Sequence, residues 1–520
     1  MRQISLIPYP KSCRETGERF TLSASARIVA ATSGALPAAG LLAEYLRPAT
    51  GFALPVVTGP AETGDIRLSE HGENETDDGG FVRESYLLTV SPGSVELDGA
   101  NAPSLALAIQ TLRQLFPPEI YADSRQDAAW ELPGVEIADA PKYRWRGLML
   151  DIARHFLGKH EICRMIELAA QHRFNRIHLH LTDDQGWRIE IKRYPRLTEI
   201  GSVRPRTVIG HESARPRRYD ETPYGGFLSR QEIREIVAFA ERRHITVMPE
   251  IDMPGHMQAA LAAYPEFGHR PDWAPEPRDC WGISRTILAP LPATVEFMQN
   301  ILAELLELFP SRFIHVGGDE ALKEEWELDC RVQRRMAELG LRNEHEMQSH
   351  FLGEMDRFLQ SRGRRMIGWD EILEGGLTPG AAVMSWRGSA GALAAARQGH
   401  DAVMASKEFA YLDYFQADPA HEPLGIGGDL PAEKVYRYTA EFPELTPEEQ
   451  MHIIGGQGQL WSEYIPSLSH LEYMAFPRAC ALAEKLWREP GECRFADFRD
   501  RLAPHRRRFA VQSVNACPLP

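Results

Sequence analysis

From about residue 139 the chain alternates short, nearly continuous apolar runs with longer stretches whose apolar residues recur at helical spacing. The apolar runs are RGLMLDIA (146–153), RIHLHLTD (176–183), TVMPEID (246–252), RFIHVGGDE (312–320), RMIGWDE (365–371), AAVMSWRG (381–388), DAVMASK (401–407) and IIGGQGQLWSE (453–463), eight in all. Helical patterns such as CRMIELAAQHRF, QEIREIVAFAERRH, TVEFMQNILAELLELF and HEMQSHFLGEMDRFLQS fall between them. Strand-length apolar runs separated by helices are the pattern of parallel strands joined by crossovers. An α/β fold follows, with a (β/α)8 TIM barrel predicted over residues 139–491.

Before residue 138 the pattern is different. ESYLLTV (84–90) and SVELDG (94–99) predict strands, and PSLALAIQTLRQLF (103–116) predicts a one-faced helix. A smaller N-terminal α/β domain is expected over 1–138, with ADAPKY (138–143) as the linker. Residues 492–520 are expected to form a C-terminal helical tail packed on the barrel, with HRRR (505–508) as a solvated helix face.

Composition narrows the class. The 520 residues are 43% hydrophobic and 25% charged, as in soluble globular chains. A formal net charge of −15 disfavours nucleic acid and anionic membrane partners. A neutral or cationic substrate suits it better. The first twenty residues lack the apolar core of a leader, so a cytoplasmic location is expected for the chain as given, or a periplasmic or secreted one if a leader has been removed. The seven cysteines form no CxxC or Cys/His cluster and are expected to be free thiols.

A barrel places its chemistry at the carboxyl ends of its strands. Those ends carry Asp151, Arg154, His178, His180, Asp183, Asp184, Glu250, Asp252, His256, His315, Asp319, Glu320, Trp369, Asp370, Glu371, Trp386, Trp461 and Glu463. Acids with aromatic rings fit a sugar, whose CH faces pack on indole while its hydroxyls need fixed polar partners. The acids Asp319 and Glu320 are adjacent, whereas the usual glycosidase pair sits on separate strands about 5 Å apart or more. Both can face the mouth only if the backbone turns, which Gly317 and Gly318 permit.

HVGGDE (315–320), together with RGLMLDIARHF (146–156), HLHLTDDQGWRIEI (178–191), EIDMPGH (250–256), GWDE (368–371) and QLWSE (459–463), resembles family 20 of the glycoside hydrolases, the β-N-acetylhexosaminidases. The resemblance runs in order through the barrel, and the first domain resembles the family's small N-terminal α/β domain. It implies a retaining exo-enzyme, without a cofactor, acting on oligosaccharides or glycoconjugates that end in β-linked GlcNAc or GalNAc. The substrate's own acetamide would be the nucleophile, an exception to the two-carboxylate scheme. On the resemblance Glu320 is general acid and then base, while Asp319 orients the acetamide and stabilises its developing charge. Tyr411, in YLDYF (411–415), would donate to the acetamido oxygen. Trp369, Trp386 and Trp461 would wall the sugar, Arg154, Asp413 and Glu463 would grip its outer hydroxyls, and Asp183 and His256 would form a network behind the acid.

Two other functions compete. A metal-dependent barrel hydrolase would take His178, His180, His256 and Asp319 as ligands, and a non-catalytic barrel would only bind carbohydrate. Trp145 and Trp187 are expected to pack within the fold rather than touch sugar. The Pro-rich segment 270–286 after the third strand is a candidate leaving-group contact, and an exposed tryptophan on the barrel would suit a homodimer.

Overall fold

A computed structural model of the protein describes residues 4–77 and 79–518. The N-terminal part is a seven-stranded mixed sheet. Its spatial order is Ser12–Thr21, Glu131–Asp139, Tyr86–Ser91, Ser94–Gly99, Ile66–Glu70, Ile28–Ala30 and Val56–Thr58. Tyr86–Ser91 alternates buried and exposed positions, so Tyr86, Leu88 and Val90 join one core with the helices Leu36–Thr50 and Ala102–Leu115. The second helix begins where Asn101 Oδ1 accepts from Ser104 N at 3.0 Å, with a proline in its first turn. The edge strand Ser12–Thr21 is almost wholly polar and mostly exposed, so no hydrophobic pattern announces it.

The rest of the chain forms a closed barrel of eight parallel strands. These are β1 (Trp145–Asp151), β2 (Arg176–His180), β3 (Thr246–Glu250), β4 (Phe313–His315), β5 (Arg365–Trp369), β6 (Ala382–Ser385), β7 (Ala402–Met404) and β8 (Ile453–Leu460). Each predicted run overlaps one of them, and β1 alone begins, at Trp145, one residue before its run. The strands stop earlier than the apolar runs do, and the residues beyond their ends form the mouth. Closure comes from β8 pairing β1 in parallel from Gly455↔Trp145 to Leu460↔Leu150. At the opposite end Phe81 of the N-terminal part packs on Trp145 and Phe313, with ring centroids 6.4 and 6.3 Å away, and plugs the barrel floor.

The C-terminal helix Phe495–Val511 corrects one expectation. His505 and Arg508 do not face solvent; they are 3% and 6% exposed. Arg508 donates to the carbonyls of Ser5 and Gln114, at 3.1 and 2.6 Å. Arg508 thus supplies buried donors to main-chain oxygens of the N-terminal part, while Arg507 of the same run stays exposed. Among the described residues no helix is long and apolar enough to cross a membrane, and the cysteines are free. Trp187 is buried with its indole N–H on Ile189 O at 2.7 Å, and Trp273 of the 270–286 segment is half exposed.

Candidate active site

The strand β4 ends at His315, and the backbone then turns through Gly317 and Gly318 at φ 66° and 99°. A Cβ on Gly317 would sit 1.7 Å from Asp252 Oδ1, so only glycine fits there. Gly318 N donates to Asp252 Oδ1 at 3.2 Å and Gln348 Nε2 to Gly318 O at 2.6 Å, which pins the turn. Glu320 itself takes φ 47°, a left-handed conformation rare for a residue with a side chain. The turn brings both Asp319 and Glu320 onto a cavity of about 590 Å³ at the barrel mouth.

Ten of the eleven residues singled out above line that cavity: Arg154, His256, Asp319, Glu320, Trp369, Trp386, Tyr411, Asp413, Trp461 and Glu463. The eleventh, Asp183, lies behind it. Asp183 Oδ1 is 3.2 Å from His256 Nδ1, and the other ring nitrogen of His256 is 3.4 Å from Glu320 Oε2 and 3.5 Å from Asp319 Oδ2. Arg154 reaches Asp183 Oδ2 at 2.7 Å and Asp151 Oδ2 at 3.1 Å, with its guanidinium 5.0 Å over the Trp461 ring. The aromatic walls hold one another: Trp386 lies nearly parallel to Tyr411 at 6.2 Å, and Trp369 and Trp461 meet at 5.7 Å. Trp386 Nε1 donates to Glu371 at 2.9 Å and Trp369 Nε1 to Glu250 at 2.9 Å, so both indoles are fixed by carboxylates.

Crowding of acids in this buried space sets their protonation. Burial first, then Asp252, with Glu320 and Glu250 adding, push Asp319 well above the usual carboxylate range against the pull of His256. Asp252 is pushed to about 7 by burial, and Glu371 to about 8 by burial and Asp319. Asp413 is raised by burial and by Glu463. Asp183 goes the other way: burial acts upward, but Arg154 and His256 outweigh it. Among the described residues Asp319 Oδ1 and Asp413 Oδ1 are buried without a hydrogen-bond partner. Such a site favours a ligand that brings N–H and O–H donors and develops positive charge.

The alternative metal set does not assemble. His178 and His180 lie on Glu250 inside the barrel, whereas His256 and Asp319 gather with Asp252 at the mouth; the four are not one ligand group among the described residues.

The family model described as glycosyl hydrolase family 20, catalytic domain, matches residues 143–490, and that described as domain 2 of the same family matches residues 3–140. The chain belongs to glycosyl hydrolase family 20. A beta-hexosaminidase of Porphyromonas gingivalis is 38% identical over 99% of this chain, which spans 65% of that protein's length. A family 20 beta-N-acetylhexosaminidase structure from Streptomyces coelicolor superposes with a TM-score of 0.83 at 29% identity, covering 99% of each chain. A family 20 exo beta-N-acetylglucosaminidase from Vibrio harveyi, solved in complex with N-acetylglucosamine, gives a TM-score of 0.84 at 33% identity over 99% of this chain and 78% of that one.

Within the family 20 barrel, sequence reasoning missed part of the cavity wall. A short hairpin, Val208–Ile209 with Arg218–Tyr219, carries His211, Glu212, Ser213 and Arg215 to the mouth. His211 stacks on Tyr464 at 5.5 Å, and Glu212 accepts from Trp281 N at 3.1 Å. Trp281, Gly282 and Ile283 of the 270–286 segment line the same wall. Nothing in the polar hairpin sequence marks it as functional; only its position between strand ends could have. Asp184, by contrast, mainly caps loops, accepting from Gln258 N and Ser284 N, both at 3.1 Å.

Proposed function

We infer that the protein is a retaining exo-β-N-acetylhexosaminidase that removes terminal β-linked GlcNAc, and GalNAc, from oligosaccharides or glycoconjugates. The acetamido oxygen attacks the anomeric carbon as the C1–O bond to the leaving group breaks, and Glu320 gives that oxygen its proton. Water then opens the oxazolinium ion with Glu320 as base, so the β configuration is retained. Asp319 accepts the acetamido N–H and balances the positive charge, with Tyr411 donating to the acetamido oxygen. Arg154, Asp413 and Glu463 hold the outer hydroxyls, and Trp369, Trp386 and Trp461 enclose the ring. The work divides between an N-terminal α/β domain, 1–138, and the catalytic barrel, 139–491, with the C-terminal helix bracing both.

One observation carries this reading: Asp319 stands beside Glu320 with a buried oxygen that has no partner among the described residues, in a position that suits an acceptor for a substrate N–H. The test compares Glu320→Gln and Asp319→Asn on aryl β-GlcNAc substrates of differing leaving-group acidity. Each variant is expected to lose about 2 to 4 kcal/mol of transition-state stabilisation or more. The loss caused by Glu320→Gln should shrink as the leaving group becomes more acidic, while the loss caused by Asp319→Asn should not. Activity abolished by chelation and restored by a divalent metal would overturn the assignment.

A further inference from the structure

We propose that His180, backed by Glu250, is a positioning residue for the proton donor: it forms the inner half of an acid–imidazole array that leads outward to Glu320. The proposal rests on the hexosaminidase reading and extends it inward. His180 lies on β2, buried and away from the cavity lining. Its Nδ1 is 2.5 Å from Glu250 Oε2 and its Nε2 is 3.0 Å from Asp183 Oδ2. An imidazole with a carboxylate oxygen at each nitrogen carries a proton on both, so the ring is a cation. Asp183 is hydrogen-bonded in turn to His256 at 3.2 Å, whose other nitrogen stands 3.4 Å from Glu320 Oε2, near it without a hydrogen bond.

Asp183, the carboxylate between the two histidines, is saturated. Asp183 Oδ2 takes His180 and Arg154, and its Oδ1 takes His256 and the Asp184 N–H at 2.6 Å. Asp183 therefore cannot swing without leaving a buried donor unpaired. Glu250 accepts from the Trp369 indole at 2.9 Å and pairs with His180; His178 Nε2 stands 2.9 Å away, and His315 Nδ1, which accepts from Gly317 N, stands at 2.8 Å. Asp183 also joins the acid's histidine to Arg154, the guanidinium assigned to the sugar's outer hydroxyls.

The groups that face His180 are Glu250 and Asp252 from β3 and its loop, Asp183 on its own loop, Asp151 and Arg154 from β1 and its loop, and His178 on its own strand. The direction of the effect follows from charge. Replacing His180 by Gln removes one positive charge from the array, so the mouth as a whole holds its protons more tightly. Both limbs of the pH–kcat/KM profile should move upward by at least about 0.3 unit. Glu250→Gln removes a negative charge and should move them downward. In each variant kcat should fall on the order of tenfold or more with KM changed by less than about threefold, the pattern of a lost transition-state arrangement.

The experiment begins with the parent on aryl β-GlcNAc; absence of turnover there sinks the hexosaminidase reading, and leaves this one without an acid to position. With an active parent, limbs fixed within about 0.1 unit in both folded variants, or a KM effect alone, would show that His180 only packs the barrel. Nitrogen-15 histidine spectra of the parent supply the second measurement, should a variant not fold. His180 is expected as the doubly protonated ring at neutral pH, and a neutral ring there overturns the proposal.

Discussion

Asp319 is a carboxyl group whose neighbours raise it far out of its usual range, burial first and Asp252 next. The proposed role needs the ionised form, so the acidic limb of the pH profile belongs to the Asp319 and Asp252 pair. Asp252→Asn keeps an oxygen for the Gly318 N–H, which Asp252 Oδ1 accepts at 3.2 Å, but removes the negative charge. Asp319 then loses its proton more readily. The acidic limb is expected to shift down by up to about one unit, measured as kcat against pH on an aryl GlcNAc. A limb that stays or rises contradicts the assignment. The residues that gather at the mouth were legible where they sat in spaced motifs, and the adjacency of Asp319 and Glu320 was itself the informative feature. The partners of Glu250 and Glu371 were not legible, because a carboxylate that fixes an indole looks in sequence like any other acid near a strand end.

At the scale of elements, parallel strands buried on both faces declare themselves as apolar runs, and every barrel strand was found that way. Their ends were misplaced by the same logic, since residues such as Val316 remain apolar after β4 has stopped at His315. The hairpin 208–219 escaped notice because a two-residue ladder with a polar tip has no period to detect. On the proposed reading the terminal sugar fills the cavity, and the hairpin at its open mouth is expected to meet the leaving group on the anomeric side. Replacing residues 210–217 by an Asn-Gly turn should preserve the Val208–Ile209 and Arg218–Tyr219 pairing. Turnover of aryl GlcNAc is expected to stay within about threefold, while kcat/KM for a β-linked disaccharide falls on the order of tenfold. Equal losses on both substrates would place the hairpin against the terminal sugar instead.

For the whole molecule, the mouth is a store of displaced protons. Asp319 and Asp413 are raised well above the ordinary range, Asp252 to about 7 and Glu371 to about 8, so the folded protein binds protons that the unfolded chain has lost. For raised groups the contribution to stability is full below the unfolded value near 4 and is lost as pH climbs toward the folded values. Asp183 and Glu250 are lowered, and their contribution is lost only as pH falls below about 4. Buried His155, His172 and His178, lowered to about 4, act the other way up to about pH 6.5, so stability is expected to decline between about pH 6.5 and pH 8, read as Tm by calorimetry. Asp319→Asn, which never ionises, should flatten part of that decline and raise Tm at pH 8 relative to the parent. A parent Tm that climbs across this range would mean that the acids of the mouth are not held in their protonated form.

The central claim is that the substrate carries its own nucleophile, and the acetamide can be removed from the substrate instead of from the protein. Aryl β-GlcNAc and aryl β-glucoside, compared at equal enzyme concentration, differ at that group alone. The account predicts brisk release from the first and a kcat/KM lower by on the order of a thousandfold or more for the second, which lacks both the internal nucleophile and the N–H for Asp319. Comparable rates on the two substrates would contradict it, and would demand a protein nucleophile that the mouth of this barrel would then have to supply.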